Sequence, residues 1–141
     1  MLVRLLYASR AAVPVDAEGL SAIMKQAQAN NPRCGVTGVL CASNGAFLQV
    51  LEGGRACVSQ LYRRIANDGR HTDVELLAYE EICERRFAGW AMGRVDLSRL
   101  NPGLLLKYSA TATLDPHALS GRGSLALLEE LAATASVVGH A

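Results

Sequence analysis

The spacing of hydrophobic positions along the chain alternates between the period of a strand and that of a helix. Residues 2–9 form an apolar run of strand-forming side chains and predict a first strand. Asp16 is a candidate helix cap, and apolar side chains then recur at helical spacing from 20 to 27. The proline of Asn30-Asn31-Pro32 disfavours helical backbone just before it, so this helix is expected to end there.

A hairpin and a second helix are predicted next. Segments 35–42 and 46–52 resemble strands, and Ser43-Asn44-Gly45 between them is a strong turn signal. Gly53-Gly54 interrupts the second of these strands. Apolar positions from 58 to 65 then share one helical face, which predicts an amphipathic helix.

Two further strands are predicted near 73–83 and 89–96, which completes the order β-α-β-β-α-β-β. The first six elements are the ferredoxin-like arrangement, in which two helices cover one face of a mixed sheet. The expected fold class is therefore α+β. Residues 1–97 are expected to form one domain, followed by a boundary at Asn101-Pro102-Gly103.

Residues 98–141 predict a helical extension that is too small for a core of its own. Asp115-Pro116 is expected to start a helix that Gly121 stops. Ser124 is expected to cap a second helix that continues to about Ala135.

These short helices need a surface on which to pack, because isolated helices of this length are marginal. The second of them carries an apolar stripe that includes Leu128. Strand alternation turns Leu6, Leu48 and Val50 away from the two core helices. We therefore expect the extension to pack on that far face of the sheet, and the remaining apolar surface to support a homodimer or higher oligomer.

Composition narrows the function classes. The 141 residues are half hydrophobic with a net charge of +1, which argues against a disordered chain. No long run of one charge provides a surface for nucleic acid or an anionic membrane. No apolar stretch approaches the roughly 18 residues of a membrane span, and residues 1–7 lack the features of a signal peptide. A cytoplasmic protein without a membrane or nucleic-acid partner is expected.

The four cysteines, Cys34, Cys41, Cys57 and Cys83, are scattered without a CxxC pair or a nearby histidine. Structural zinc is therefore not expected, nor is any other metal site. The expected state of all four is a reduced, buried thiol.

Polar side chains occur where the strand pattern requires apolar ones. Tyr7 in the first strand and Gln49 in the third share a face with apolar neighbours. A buried amide without a partner costs about 1–3 kcal/mol, so Gln49 needs one. Taken singly, Tyr7 also fits an ordinary core position, and Asn30 and Asn31 fit a helix end. Together they would line the gap between sheet and helices and suit an aromatic ligand with alternating carbonyl and N–H groups.

Several short segments occur together in a fixed order. They are Tyr7-Ala8-Ser9, Asn30-Asn31, Gly35-Val36-Thr37-Gly38, Gly45-Ala46-Phe47-Leu48-Gln49-Val50-Leu51-Glu52-Gly53, Arg70-His71 and Phe87-Ala88-Gly89-Trp90-Ala91-Met92-Gly93. This combination resembles the BLUF family, the sensors of blue light using FAD. The resemblance covers about residues 2–97 and implies a noncovalently bound flavin in a photoreceptor that is not an enzyme.

The resemblance implies a role for each matching residue. Tyr7 would donate an electron to the excited flavin, and Gln49 would be the switch, hydrogen-bonded between Tyr7 and the flavin ring. Asn31 would bind the carbonyl edge of the ring, with Asn30 assisting. Rotation or tautomerisation of the Gln49 amide would change its bond to the flavin and give a slightly red-shifted signalling state.

The remaining implied residues lie outside this central group. Asp68, Arg70 and His71 would lie near the polar side of the flavin or its ribityl chain. Trp90 and Met92 would lie on the last strand and relay the change outward.

FAD is the cofactor that the resemblance implies. The sequence has no GxGxxG fingerprint, so the phosphate end should be largely exposed, and FMN or riboflavin should be acceptable substitutes. Cys41-Ala42 departs from the leucine and tyrosine common in the family, which should alter packing only. No effector pattern follows residue 97, so the output is expected to pass to an unidentified downstream protein or through a dimer contact.

Three other interpretations remain open from the residues alone. A flavin-dependent oxidoreductase would need a substrate pocket over the ring, for which the sequence offers no motif. A ferredoxin-like enzyme of the acylphosphatase kind would use Arg10, but the loop after it lacks the glycines of an anion-binding nest. A cofactor-free adaptor is the third, and the colour of the purified protein distinguishes it.

Overall fold

A computed structural model describes residues 1–95, 101–134 and 137–138, and these form an α+β fold around one mixed sheet. The strands are β1 Leu2–Ala11, β2 Thr37–Ser43, β3 Ala46–Gly54, β4 His71–Ile82, β5 Gly93–Val95 and β6 Val137–Val138. The helices are α1 Ala17–Asn30, α2 Arg55–Ala66, α3 Pro102–Tyr108 and α4 Gly121–Ala133, with 3-10 turns at Asn31–Cys34 and Pro116–Ala118. The sheet order is β4-β1-β3-β2-β5-β6, which contains the predicted ferredoxin-like arrangement.

Strands β1 and β3 lie at the centre of the sheet and pair antiparallel. Both are rich in apolar side chains and almost wholly buried, because the sheet is covered on both faces. Strand β3 also pairs with β2 through a hairpin whose turn residues, Asn44 and Gly45, have φ of 51° and 76°. Asparagine and glycine tolerate these positive angles, which confirms the turn predicted from the sequence.

The first two helices cover one face of the sheet. The side chain of Asp16 accepts a 2.7 Å hydrogen bond from the backbone N–H of Gly19, which confirms the predicted cap of α1. Met24 from α1 and Val58 from α2 are buried against apolar side chains of this face, such as Leu5 and Leu51. No other side chain of either helix is buried, so each helix contributes one buried residue to this core.

The extension covers the opposite face. Leu127, Leu128 and Leu131 of α4 are fully buried in one cluster with the far-face side chains of the sheet. That cluster includes Leu6, Leu48 and Val50, the three residues that strand alternation turned toward this face. The sheet therefore has an apolar core on each side.

The internal structure of the extension differs from the prediction. Helix α4 begins at Gly121, and its cap is Ser120, whose side chain accepts a hydrogen bond from the backbone N–H of Gly123. Ser124 is a buried residue inside the helix, not its cap. A Cβ at Gly121 would collide with the carbonyl oxygen of Leu77, so this glycine permits a close approach to β4 and does not stop a helix.

One other prediction for this region was also wrong, because the helix expected at Asp115-Pro116 is a single 3-10 turn. A helix that was not predicted, α3, begins at Pro102, and Asn101 caps it through its side chain. The boundary between residues 97 and 98 and the helix end near 135 lie outside the described residues. None of the helices in the described ranges is both long and apolar enough to cross a membrane.

Candidate flavin site

The centre of the site is a side-chain pair on the two central strands. Tyr7 of β1 and Gln49 of β3 are direct cross-strand neighbours on the face covered by α1 and α2. The Tyr7 hydroxyl donates a hydrogen bond to Oε1 of Gln49, and both side chains are buried. The amide Nε2 of Gln49 donates to Sδ of Met92 at 3.2 Å. A thioether is a weak acceptor, so the strong donor capacity of this amide is only partly used.

Burial keeps the Tyr7 phenol neutral. Its pKa is raised above the ordinary 10.0 first by desolvation and then by the nearby Tyr62 and Asp68. The Tyr62 ring lies 5.7 Å from that of Tyr7, centroid to centroid. A neutral phenol retains its proton as a hydrogen-bond donor to Gln49.

We expect Tyr7 to remain protonated at pH 10, where an exposed tyrosine is half ionised. A raised pKa in the folded state means that the neutral phenol contributes stability below pH 10, which is lost progressively as the pH rises further. The measurement is tyrosinate absorbance of the folded protein against pH, with Tyr7→Phe as the matched comparison. We expect the same amount of tyrosinate per protein at pH 10 in the unmodified protein and in Tyr7→Phe, because Tyr7 contributes none. A larger amount in the unmodified protein would show that Tyr7 ionises like an exposed tyrosine.

A cavity lies above this pair, between α1 and α2. It is partly open to solvent, and its free space, with that open part included, is about 940 Å³. Its walls are mostly apolar, and its floor and rim are polar. The apolar lining comprises Ile23, Ala27, Val36, Leu40, Phe47, Leu61 and Ile65. All of the proposed photoactive and cofactor-binding residues line it as well: Tyr7, Asn30, Asn31, Gln49, Asp68, Arg70 and His71.

The polar residues divide between the inner and outer parts of this cavity. Asn31 is buried in the 3-10 turn after α1, and its Nδ2 donates to the Ala91 carbonyl at 3.0 Å. Asn30 is exposed at the end of α1. This arrangement suits a flat aromatic ring with an amide-like edge and a polar tail. The apolar walls would contact the faces of the ring, and the side-chain amides would contact its edge.

The loop between α2 and β4 supplies a charged part of the rim. Hydrogen bonds from Arg70 lower the pKa of Asp68 to about 2, so this carboxylate stays ionised. Burial lowers the pKa of His71, and the Asp68 charge opposes this only in part. The His71 ring is therefore mainly neutral at pH 7, and its Nδ1 shares a 2.9 Å hydrogen bond with the Ser9 hydroxyl.

Trp90 and Met92 do not lie on a strand, contrary to the prediction. The described part of β5 starts at Gly93, so both residues belong to the preceding loop. Met92 is fully buried beside Gln49, on the cavity side of the sheet. Trp90 is half-buried against the far-face core, and a Cβ at Gly93 would lie only 2.9 Å from its ring. The two side chains thus face opposite sides of the sheet.

The position of this loop is fixed by hydrogen bonds that the sequence did not reveal. Glu52 of β3 is fully buried, and its carboxylate accepts hydrogen bonds from Arg4 Nε at 2.8 Å and from the backbone N–H of Phe87 at 2.7 Å. On the α1 side, Gln28 Nε2 donates to the carbonyl of Met92 at 3.1 Å. The strand that carries Gln49 and the helix that bounds the cavity therefore both hold this loop.

Among the polar residues of the lining, Gln26 and Arg64 were not predicted. Gln26 is four residues before Asn30 on α1, and Arg64 is three residues after Leu61 on α2. Helical neighbours at these spacings share a face, so periodicity applied to the polar positions would have found both.

The prediction for the cysteines was wrong for three of the four. Cys34 and Cys57 form a disulfide with a Cα–Cα distance of 6.0 Å, and Cys83 is exposed. The two bonded residues are 23 positions apart and meet only because α1 and α2 lie side by side. Cys41 alone is a buried thiol, and burial raises its pKa to about 12, which makes it unreactive.

Comparison with known proteins identifies relatives of the first two-thirds of the chain. Residues 2–93 match the family described as sensors of blue-light using FAD, or BLUF. Photoactivated adenylate cyclase subunit beta of Euglena gracilis is 43% identical over 84 residues, which are 60% of this chain and 10% of that protein. The chain therefore spans about a tenth of the length of such relatives.

Solved structures extend the similarity over nearly the whole chain. The dark-state structure of BlrB, a BLUF protein, is 30% identical with a TM-score of 0.80, covering 95% of this chain and 96% of that one. The photo-activated state of BlsA is also 30% identical with a TM-score of 0.80, covering 93% and 94%. The matched segment contains Tyr7, Asn31 and Gln49 around the cavity, and the chain belongs to the BLUF family of flavin-based blue-light sensors.

Proposed function

We propose that this protein is a blue-light photoreceptor whose signal begins with a rearrangement of the hydrogen bond between Tyr7 and Gln49. The observation that carries the proposal is this buried phenol–amide pair at the floor of a cavity suited to a flavin. Asn30, Asn31 and Gln49 would hold the ring edge, and Asp68, Arg70 and His71 the polar part. Residues 1–97 form the flavin-binding domain in this proposal, and 98–141 the extension.

A bound flavin supplies, on absorbing blue light, an oxidant strong enough to take an electron from a phenol. Tyr7 is the phenol in place, and burial, which raises its pKa, further favours its neutral form. A phenol that has lost an electron is far more acidic. Its proton then has an acceptor already within hydrogen-bonding reach, Oε1 of Gln49.

The surroundings of Gln49 allow its amide to change partners. In the present arrangement the oxygen faces Tyr7 and the nitrogen faces the sulfur of Met92. Rotation or tautomerisation would exchange the donor and acceptor sides. The hydrogen bond from Gln49 to the Met92 sulfur is weak, so breaking it costs little free energy. A new hydrogen bond from Gln49 to the ligand would produce the small red shift.

The loop that carries Met92 and Trp90 is the proposed route outward. Met92 contacts Gln49 directly, and Trp90, two residues earlier, packs on the far face and lines a small cavity beside α4. The side chain of Arg86 in the same loop pairs with Glu129 of α4. A shift of Met92 would therefore reach Trp90 along two residues of backbone, and α4 through the packing beside Trp90 and the Arg86–Glu129 ion pair.

Several finer assignments complete the proposal. FAD is the proposed flavin, with FMN or riboflavin accepted because the cavity is partly open to solvent and Arg70 at its rim is exposed. The protein acts as a sensor without a catalytic site of its own, in the cytoplasm. Its output passes to a separate downstream protein or through a homodimer or higher-oligomer contact.

The deciding experiment is an absorption spectrum before and after blue light. We expect purified protein, supplied with FAD where necessary, to be yellow and to shift its flavin bands slightly to the red, with full recovery in the dark. NADH is the control reagent, and slow or absent bleaching is expected. A colourless protein that takes up no added flavin would overturn the proposal, and rapid reduction by NADH would favour an oxidoreductase.

A further inference from the structure

The two helices that wall the cavity are joined by a covalent bond at its edge. Cys34 is the last residue of the 3-10 turn that continues α1, and Cys57 lies in the first turn of α2. Both residues line the cavity, and they form a disulfide. This bond ties the segment carrying Asn31 to the helix that forms the opposite wall.

We propose that Cys34 and Cys57 are a reversible redox site that controls the exchange of the flavin. As a disulfide they hold α1 and its 3-10 turn against α2 beside the ligand, and as two thiols they let this segment move away from α2. The proposal rests on the proposed binding of a flavin in this cavity.

The packing of α1 explains why one bond has this influence. Met24 is the buried side chain of this 14-residue helix, and Ile23 and Ala27 on its inner face are only partly buried and line the cavity. Side-chain hydrogen bonds from Gln28 and Asn31 hold its C-terminal end to the Ala91–Met92 loop. A helix attached so lightly opens locally at small cost, and a cross-link to α2 removes the open arrangements.

Oxidation of the two thiols to the disulfide requires an external two-electron oxidant, such as a hydroperoxide. Two thiols form one S–S bond and release two protons and two electrons, and hydrogen peroxide is reduced to two molecules of water. A dithiol reductant reverses the step by exchange. Cys34 is exposed and Cys57 half-buried, so a soluble reductant can reach the bond. Disulfides of cytosolic proteins are usually transient and redox-sensing, which agrees with a reversible role in the proposed compartment.

The test compares the dissociation of FAD from the oxidised and the dithiothreitol-reduced full-length protein in the dark. Release is followed by the fluorescence of free FAD after dilution. We expect reduction to speed release roughly tenfold, a part of what a cross-link commonly contributes. Alkylation and mass measurement of the flavin-free protein report the thiol state independently, with two additional modified cysteines expected after reduction.

Three variants serve as controls. Cys34→Ser and Cys57→Ser should each release FAD at the fast rate with or without dithiothreitol. Cys83→Ser removes an exposed cysteine on the loop after β4 and should keep the response of the unmodified protein. Equal release rates in the two redox states, or failure of oxidant to link Cys34 to Cys57, overturns this inference alone. Absence of any flavin binding overturns the proposed function and this inference with it.

Discussion

Replacing Tyr7 with phenylalanine should abolish the light-induced red shift and leave the flavin bound. The substitution removes only the hydroxyl, which is the group that contacts Gln49, and keeps the ring that fills the core. Without the phenol there is no readily oxidised donor at the floor of the cavity and no proton for Gln49 to accept. The measurement is the difference spectrum under saturating blue light, together with the ratio of bound flavin to protein.

Tyr62→Phe is the matched control for this variant. Tyr62 lies on α2 with its ring 5.7 Å from that of Tyr7, so it is a second phenol in the same region. Its hydroxyl has no assigned part in the switch, and the red shift should persist. A normal photocycle in Tyr7→Phe would refute the role of Tyr7, and loss of the shift in Tyr62→Phe alone would transfer that role to Tyr62.

The floor of the site could be predicted because it depends on strand geometry. Alternation places every second residue of a strand on one face, so a polar residue among apolar ones points into the core. Tyr7 and Gln49 both satisfy this criterion, and the structure makes them cross-strand neighbours. The antiparallel pairing of β1 with β3, which brings the two strands together, belongs to the ferredoxin-like arrangement.

The loop with Trp90 and Met92 could not be predicted in the same way. The alternation of polar and apolar residues in this loop is typical of a strand. In the structure, however, the carbonyl of Trp90 accepts a hydrogen bond from the backbone N–H of Gly38, and the carbonyl of Met92 accepts one from the side chain of Gln28. These bonds, with the buried Glu52 carboxylate, determine the path of the loop. Such hydrogen bonds join residues that are distant in sequence, and no local period records them.

The disulfide and the extension were mispredicted for related reasons. Cys34 and Cys57 are neighbours only because two helices lie side by side, a relation that no CxxC spacing expresses. In the extension, Gly121 was interpreted as a helix stop because glycine commonly adopts the left-handed backbone conformation just after a helix ends. Its actual role is to let the helix approach the Leu77 carbonyl, which depends on the final packing.

Replacing Leu128 with alanine should destabilise the whole protein, because α4 completes the core on the far face of the sheet. Leu128 is fully buried in the cluster that contains Leu6, Leu48 and Val50. Truncating a buried leucine costs about 2–5 kcal/mol in free energy of unfolding, which sums the transfer energy of the removed atoms and the cavity left behind. The measurement is urea-induced unfolding in the dark, followed by circular dichroism.

Leu106→Ala is the control, since Leu106 of α3 is 54% exposed and its truncation should change the free energy of unfolding by less than about 0.5 kcal/mol. If Leu128→Ala were equally mild, α4 would not be docked in solution, and the path from Met92 through Trp90 would have no helix to act on. If Leu128→Ala lowers the free energy of unfolding by the expected amount, α4 is an essential part of the fold. A movement of the Trp90 loop would then have to be accommodated by α4. Light could then alter the stability of the extension itself, which links the photochemical pair on one face of the sheet to the surface presented on the other.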